Sequence, residues 1–238
     1  MNNQELWKRY CEFFRTYADL GISLDISRVR FDDSFLSTMQ SKMDAALSDM
    51  KELEGGSTAN PDEGRMVGHY WLRSPETSPT PEIKNQITAA VEEIRTFARQ
   101  VHSGEIKPEK QERFKNVLII GIGGSALGPQ LVSDAMWNEK DPMGIFFCDN
   151  TDPDGIARTV TQLGNDLDKT LCIVISKSGG TVETRNGSLE VAQAFSEKGL
   201  HYGKHVVAVT CEGSKLDKQA ESEGWVKRFY IWDWVGGR

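Results

Sequence analysis

From residue 116 onward, short apolar segments alternate with longer segments whose apolar residues are spaced three and four apart. Continuous β-branched and aromatic runs are typical of strands buried on both faces, and helices between such strands connect a parallel sheet. We therefore predict an α/β fold of three α/β/α layers around an open, mainly parallel sheet of about five strands. The predicted strands are NVLIIGI (116–122), GIFFCDN (144–150), LCIVIS (171–176), HVVAVT (205–210) and RFYIWDW (228–234).

The preceding residues, 1–81, are predicted to form a mainly helical region with a long connecting loop, and residues 82–238 the α/β domain. The loop, 54–82, is rich in Gly, Pro, Ser and Thr, which indicates a connection. Tyr70 and Trp71 are predicted to attach it to the body of the protein. Two apolar stripes predict core-facing helices before the loop: Leu6, Tyr10, Phe13 and Tyr17, then Leu36, Met39, Met43, Ala46, Met50 and Leu53.

Composition and charge exclude several classes of protein. The formal net charge of -7 disfavours a nucleic-acid binder, which would need a basic face. No apolar run approaches the ~20 residues that span a bilayer, so we expect no membrane association. The first residues resemble neither a secretory signal nor a transit peptide. We expect a cytoplasmic protein, or a plastid-stromal one if a transit peptide has been removed. The dispersed cysteines and histidines predict no metal site.

Two glycine-rich segments each follow a predicted strand: IGIGGSALGP (120–129) and VISKSGGTVET (174–184). In open parallel sheets, ligands bind beyond the carboxyl ends of the strands. In the second segment, paired glycines allow the backbone to approach an anion closely, and the following helix directs its positive end there. Hydroxyl and ammonium groups add charge-assisted hydrogen bonds. The sequence therefore predicts a phosphate site formed by Ser176, Lys177, Ser178 and Thr181.

Two other interpretations fit parts of the same pattern. An ordinary strand-to-helix turn, with Ser178 or Thr181 as the N-cap, would also use hydroxyls. The segment GIGGSA satisfies the dinucleotide pattern G-x-G-x-x-A, and Asp149 ends the next predicted strand, as a ribose-binding acid would. A dinucleotide-dependent oxidoreductase therefore stays an alternative. Neither segment matches the phosphate loop of nucleoside triphosphatases.

Together, four motifs resemble the glucose-6-phosphate isomerase family. They are ANPDEGRMVGHYWLR, typical of its bacterial and plastid branch, GIGGSALGP, SKSGGTVETRNG and the terminal DWVGGR. The resemblance implies a sugar-isomerase (SIS) domain. It also implies reversible conversion of glucose 6-phosphate to fructose 6-phosphate through an enediol, without a cofactor, by a homodimer.

The same resemblance assigns roles to individual residues. Gly124 and Ser125 match the first contacts to the sugar phosphate, and the second glycine-rich segment matches the phosphate loop. Many relatives have threonine at the position of Ser178, which keeps the hydroxyl. Glu183 matches a glutamate that orients a catalytic histidine. As an alternative, its carboxylate in the first turn of a helix would stabilise the positive end of the helix dipole. Arg238 matches an arginine beside the developing enediolate.

The resemblance also predicts what the chain lacks. In the family a second α/β domain follows the VGGR motif and supplies a glutamate base, a histidine and a lysine. We therefore expect an amino-terminal portion of an aldose–ketose isomerase, which holds the phosphate site but is inactive by itself. A non-catalytic sugar-phosphate-binding SIS module is the other alternative.

Overall fold

The computed structural model describes residues 2–32 and 34–236, which divide into two compact units between Lys51 and Glu52. In the first unit, helix α1 (Asn3–Phe13) begins at a capping box formed by Asn2 and Glu5. A hairpin of β1 (Phe14–Tyr17) and β2 (Ile22–Asp25) follows, and then α2 (Phe35–Glu54), within which the division falls.

The apolar stripes of this first unit do not behave as predicted. Tyr17 lies in β1 rather than on the predicted helix, because the chain leaves α1 at Phe13 and forms the hairpin. The second stripe does lie on a helix, α2, but no residue of α2 is buried. The predicted packing of the α2 methionines into a core is therefore wrong.

The second unit begins with the long connection. It contains a short pair of strands, β3 (Thr58–Asn60) and β4 (Arg65–Met66), followed by 3₁₀ helices at His69–Leu72 and Pro75–Thr77. Trp71 is fully buried and packs in one cluster with Ile83, Ile87 and Trp234, which lie outside the loop. Within the loop, its indole N–H donates to the carbonyl of Glu54 at 3.1 Å. The prediction that this tryptophan attaches the loop to the body is confirmed.

The rest of the second unit is an α/β domain whose five strands are all parallel. In chain order its elements are α3 (Pro81–Ser103), β5 (Asn116–Ile120), α4 (Gly124–Met136), β6 (Gly144–Cys148), α5 (Pro153–Leu163), β7 (Thr170–Ile175), α6 (Val182–Glu197), β8 (Val206–Thr210), α7 (Lys215–Ser222) and β9 (Lys227–Tyr230). The strand order is β6-β5-β7-β8-β9. All five predicted strands are present. Four differ from the prediction by one or two residues at an end, whereas the last, β9, ends at Tyr230, four residues before its predicted end.

Helices cover the sheet on both faces, so the predicted three layers are present. On one face, Leu118 and Val174 of the sheet pack with Val191 and Phe195 of α6. On the other face, Leu171 and Val207 pack against Val101 of α3. Alternate strand residues point to opposite faces, which explains why these strands are apolar throughout.

The strand order defines where a ligand would bind. Chain connections run in opposite directions from β5, to β6 on one side and on to β7 on the other. In doubly wound folds such a switch point opens a crevice at the carboxyl edge of the sheet. Both glycine-rich segments lie at this point. None of the helices that the structure describes is long and apolar enough to cross a membrane.

Candidate phosphate site

The two glycine-rich segments leave the sheet side by side. β5 and β7 pair in parallel, with Ile120 opposite Val174. The segment after Ile120 and the segment after Ile175 therefore emerge at the same edge. The sequence-predicted hydroxyls of both segments are brought together by this pairing.

The first segment is held close to its neighbouring strand. A Cβ atom on Gly121 would lie 2.9 Å from the Cβ atom of Ser125 and 3.3 Å from the carbonyl oxygen of Ile175, so a larger residue would force the segments apart. Gly123 has φ +58° and ψ -125°, a conformation open essentially to glycine. This turn starts α4 at Gly124, which is exposed, and leaves Ser125 half-buried at the cavity.

The second segment is fixed by hydrogen bonds to β8. The N–H of Ser176 donates to the carbonyl of Val209 at 3.0 Å, and the hydroxyl of Thr210 donates to the carbonyl of Ser176 at 2.6 Å. Gly179 has φ +65°, and a Cβ atom there would meet the amide nitrogen of Leu216 at 2.7 Å. These contacts define the path of the loop before any ligand binds.

The start of α6 is not closed by a side chain. Thr181 occupies the N-cap position, but within the described part of the chain its side chain makes no capping hydrogen bond. Its hydroxyl instead accepts a hydrogen bond from the Ser176 hydroxyl at 3.0 Å. Ser178 accepts from the N–H of Gly180 at 3.2 Å, outside the helix. The capped-turn interpretation is therefore not supported, and the positive end of α6 is available to an anion.

A cavity of about 580 Å³ lies at this edge of the sheet. This volume falls in the range typical of small-molecule sites. Five of the sequence-predicted site residues line it: Ser125, Ser176, Lys177, Ser178 and Thr181. Residues that the sequence analysis did not assign to the site complete the wall, among them Arg65, Thr184, Cys211, Ser214 and Asp233.

Lys177 joins the loop to the carboxy-terminal segment. Its ammonium group donates to the carbonyl of Asp233 at 2.9 Å and to that of Val235. A lysine has three N–H donors, so one donor is left over for a ligand. The side chain therefore has two roles available, positioning the segment 231–236 and contacting an anion.

The long connection packs against the same carboxy-terminal segment. The N–H of Gly68 donates to the carbonyl of Trp234 at 2.9 Å, and the rings of Trp71 and Trp234 lie 5.5 Å apart. A Cβ atom on Gly68 would overlap the Trp71 ring at 2.0 Å, so only glycine fits. Nε2 of His69 accepts a hydrogen bond from the N–H of Gly236 at 3.0 Å.

Three sequence-predicted residues, Gly124, Glu183 and Arg238, are not among the described residues of the cavity wall. Glu183 is exposed in the first turn of α6, and neither it nor Gly124 is among the residues that line the cavity. Arg238 lies outside the described residues. The roles of all three stay predictions.

The thiol of Cys211 lies in the cavity wall and is uncharged. Burial raises the pKa of Cys211, although the nearby Lys177 ammonium partly opposes this. Cys211 therefore stays protonated at neutral pH and contributes no anion that would repel a phosphate. Throughout residues 2–32 and 34–236, no three His, Cys, Asp or Glu side chains are grouped to hold a metal ion.

Asp149, the acidic residue of the dinucleotide alternative, is hydrogen-bonded to neighbouring side chains. Its carboxylate accepts a hydrogen bond from the side-chain amide of Gln130 at 2.8 Å, and another from Asn150 at 3.4 Å. The glycine pattern at 121–126 serves the close approach of two strands here.

Comparisons with known proteins identify the family of the chain. A family model described as phosphoglucose isomerase matches residues 25–238. The chain is 52% identical to a glucose-6-phosphate isomerase of Desulfitobacterium hafniense, over 98% of this chain and 44% of that protein. It is 54% identical to the one of Geobacter sulfurreducens, over all of this chain and 45% of that protein.

A solved structure is similar as well. The crystal structure of a glucose-6-phosphate isomerase from Chlamydia trachomatis superposes with a TM-score of 0.80 at 26% identity, over 97% of this chain and 44% of that one. The chain thus spans less than half the length of the relatives it matches. The chain belongs to the phosphoglucose isomerase family.

Proposed function

We propose that the protein is a glucose-6-phosphate isomerase and that the cavity at the β5/β7 edge binds the phosphate group of its hexose phosphate. The observation that carries the proposal is the uncapped start of α6, which faces hydroxyl groups at the switch point of the sheet. Backbone N–H groups, hydroxyls and one ammonium suit a phosphate monoester.

The reaction divides into steps with different chemical needs. Ring opening requires an acid and a base, and the proton transfer between C2 and C1 requires a carboxylate. A cation must stabilise the enediolate. The phosphate lies far from the reacting carbons, so its binding energy serves to position the open sugar.

The residues of this chain are proposed to do the positioning. Ser125, Ser176, Ser178 and Thr181 would hold the phosphate group, with Lys177 as its cation. In the same proposal Gly124 contacts the sugar phosphate, Glu183 orients a catalytic histidine and Arg238 stabilises the enediolate. The base, the histidine and the ring-opening lysine would come from the part of the relatives' length that the chain does not span.

Calorimetric titration with 6-phosphogluconate tests the binding step. Lys177→Ala should weaken binding about tenfold, because it removes a charge-assisted hydrogen bond and releases the segment 231–236. Gluconate, which lacks the phosphate, should not bind. Lys218→Ala, which removes an exposed lysine of α7 outside the cavity wall, is the matched control. Equal affinities of the Lys177→Ala and unsubstituted chains would contradict the assignment.

A coupled dehydrogenase assay tests the catalytic step. The 238-residue chain alone should be at least about 100-fold slower than a complete isomerase, because positioned acid–base groups contribute about 10²–10⁴-fold each. Turnover at the rate of a complete enzyme would show that the chain carries its own base. The homodimer, the cytoplasmic location and the assignment of residues 82–238 to a SIS domain belong to the same proposal.

A further inference from the structure

Thr184 is a buried hydroxyl that the site described above does not use. It is the third residue of α6 and is only 4% exposed. Its Oγ1 atom is inaccessible to solvent and has no hydrogen-bond partner among the residues that the structure describes. Ser188, one turn further along the same helix, is also buried, but its hydroxyl is paired with the Tyr202 hydroxyl at 3.1 Å.

An unpaired buried hydroxyl needs a physical reason. Leaving such a group without a partner costs roughly 1–3 kcal/mol, and native proteins contain few of them. A threonine in a helix can satisfy itself by donating to the carbonyl four residues earlier, as Thr161 of α5 does to Ala157 at 2.7 Å. For Thr184 the residue four positions earlier is Gly180, which precedes α6, so the regular helix does not offer this bond.

The surroundings of Thr184 show where its missing partner would come from. The side chain lines the large cavity together with Ser125, Ser176 and Thr181. It also lines a smaller cavity of about 120 Å³ on the other side of the loop, beside Gly180 and Leu216. Thr184 therefore stands in the wall behind the loop hydroxyls, where both cavities meet.

Close packing holds the backbone of α6 against the sheet. Gly187, three residues after Thr184, packs so closely on β5 that a Cβ atom there would lie 3.2 Å from a methyl carbon of Ile120. This contact places the backbone of Thr184 beside the cavity independently of any ligand. A turn of its side chain is then the movement that would present the unsatisfied hydroxyl to a ligand.

We propose that Thr184 is a further phosphate-binding residue, whose hydroxyl pairs with the bound phosphate group or with one water held against it. This inference rests on the proposed function, because it takes the anion to be the phosphate of a sugar monophosphate. It adds a fifth hydroxyl to those of Ser125, Ser176, Ser178 and Thr181. It also explains why the ligand-free chain leaves the hydroxyl unpaired.

Thr184→Val and Thr184→Ser separate a binding role from a structural one. Valine keeps the shape of threonine and removes the hydroxyl, whereas serine keeps the hydroxyl. With inorganic phosphate and 6-phosphogluconate as probes, calorimetry should show about tenfold weaker binding for Thr184→Val and binding within about twofold of the original for Thr184→Ser. The ligand-free Thr184→Val chain should unfold at the same temperature or a higher one, because it loses an unpaired polar group.

Thr161→Val is the matched control, since it removes a helix hydroxyl that has its own partner; it should leave affinity unchanged. Unchanged affinity of Thr184→Val, or a lowered unfolding temperature without ligand, would overturn the inference. If Ser176→Ala loses affinity while Thr184→Val keeps it, only the inference fails. If the unsubstituted chain binds neither probe, the proposed function fails with it.

Discussion

His205, at the amino edge of the sheet, and Thr184, at the carboxyl edge, are buried polar residues that differ in their hydrogen bonding. At the amino edge, His205 is fully buried and both of its ring nitrogens are engaged: Nε2 accepts from the N–H of Glu109 at 3.4 Å, and Nδ1 pairs with the carbonyl of Thr170 at 3.1 Å. At the carboxyl edge, Thr184 is unpaired and the start of α6 is uncapped. Paired groups stabilise the fold, whereas unpaired groups weaken it and keep bonding capacity for a ligand.

The largest expected effect lies in the loop of the carboxyl edge. Gly179→Ala should lower the free energy of unfolding by about 2 kcal/mol or more, because an alanine would adopt a left-handed conformation and clash with the amide of Leu216. Gly180→Ala is the matched control. Its added Cβ would meet nothing closer than 3.9 Å, so the change should stay within about 0.5 kcal/mol.

Urea unfolding of both variants measures this difference, and 6-phosphogluconate titration follows the loop. Gly179→Ala should also lose most of its affinity, because the loop path depends on that turn. Equal unfolding free energies of the two variants would show that the loop changes its path to accommodate the alanine. The loop would then be less preorganised for a ligand than its contacts indicate.

At the amino edge, the expected effect is on stability alone. His205→Ala removes the partner of the Thr170 carbonyl and of the Glu109 N–H, which should cost about 1–3 kcal/mol. The affinity for 6-phosphogluconate, measured at a temperature where the variant is folded, should not change. If His205→Ala lost affinity for 6-phosphogluconate but kept its unfolding free energy, His205 would serve ligand binding rather than stability, contrary to this prediction.

The smallest expected effect is the pH dependence that His205 contributes. Burial lowers the pKa of His205, and this outweighs the Thr170 carbonyl and the carboxylates of Glu109 and Asp168, which raise it. The native state then binds fewer protons than the unfolded state below the ordinary histidine pKa of about 6.5. Stability from this source is therefore complete above about pH 6.5 and declines as the pH falls.

Unfolding free energies measured between pH 7.5 and pH 5 should fall more steeply for the unsubstituted chain than for His205→Ala. Parallel pH dependences of the two unfolding free energies would mean that the pKa of His205 is the same in the folded and unfolded states. His205→Phe, which keeps a ring among Phe114 and Phe195, separates the effect of the proton from that of lost packing.

The sequence predicted the sheet well because its strands are continuous apolar runs, which have few alternatives. It was less informative about helices. Leu127 and Leu131 have the spacing of a core-facing stripe on α4, yet Leu131 is 70% exposed. Periodicity establishes that one helix face is apolar, but not which partner covers it. The same limit explains the methionines of α2.

The residues of the candidate site likewise divide into those that the sequence predicted and those that it missed. Local chemistry was enough to predict the two glycine-rich turns and the hydroxyls of the second, whereas Ser125 of the first was assigned by the family resemblance. Cys211 and Ser214 were missed because they follow β8, and only the strand order places β8 beside β7. Asp233 was missed because its role depends on a lysine 56 residues earlier.

The indole rings of Trp232 and Trp234 lie 5.0 Å apart and within 6° of parallel. Transition dipoles in so close a pair couple to one another, and the strength of the coupling depends on the geometry of the pair. The ammonium of Lys177 donates hydrogen bonds to the carbonyls on either side of Trp234. A change in the position of the loop should therefore change the position of Trp234 relative to Trp232. The near-ultraviolet signal of these two tryptophans can therefore report a change in the loop without an attached dye.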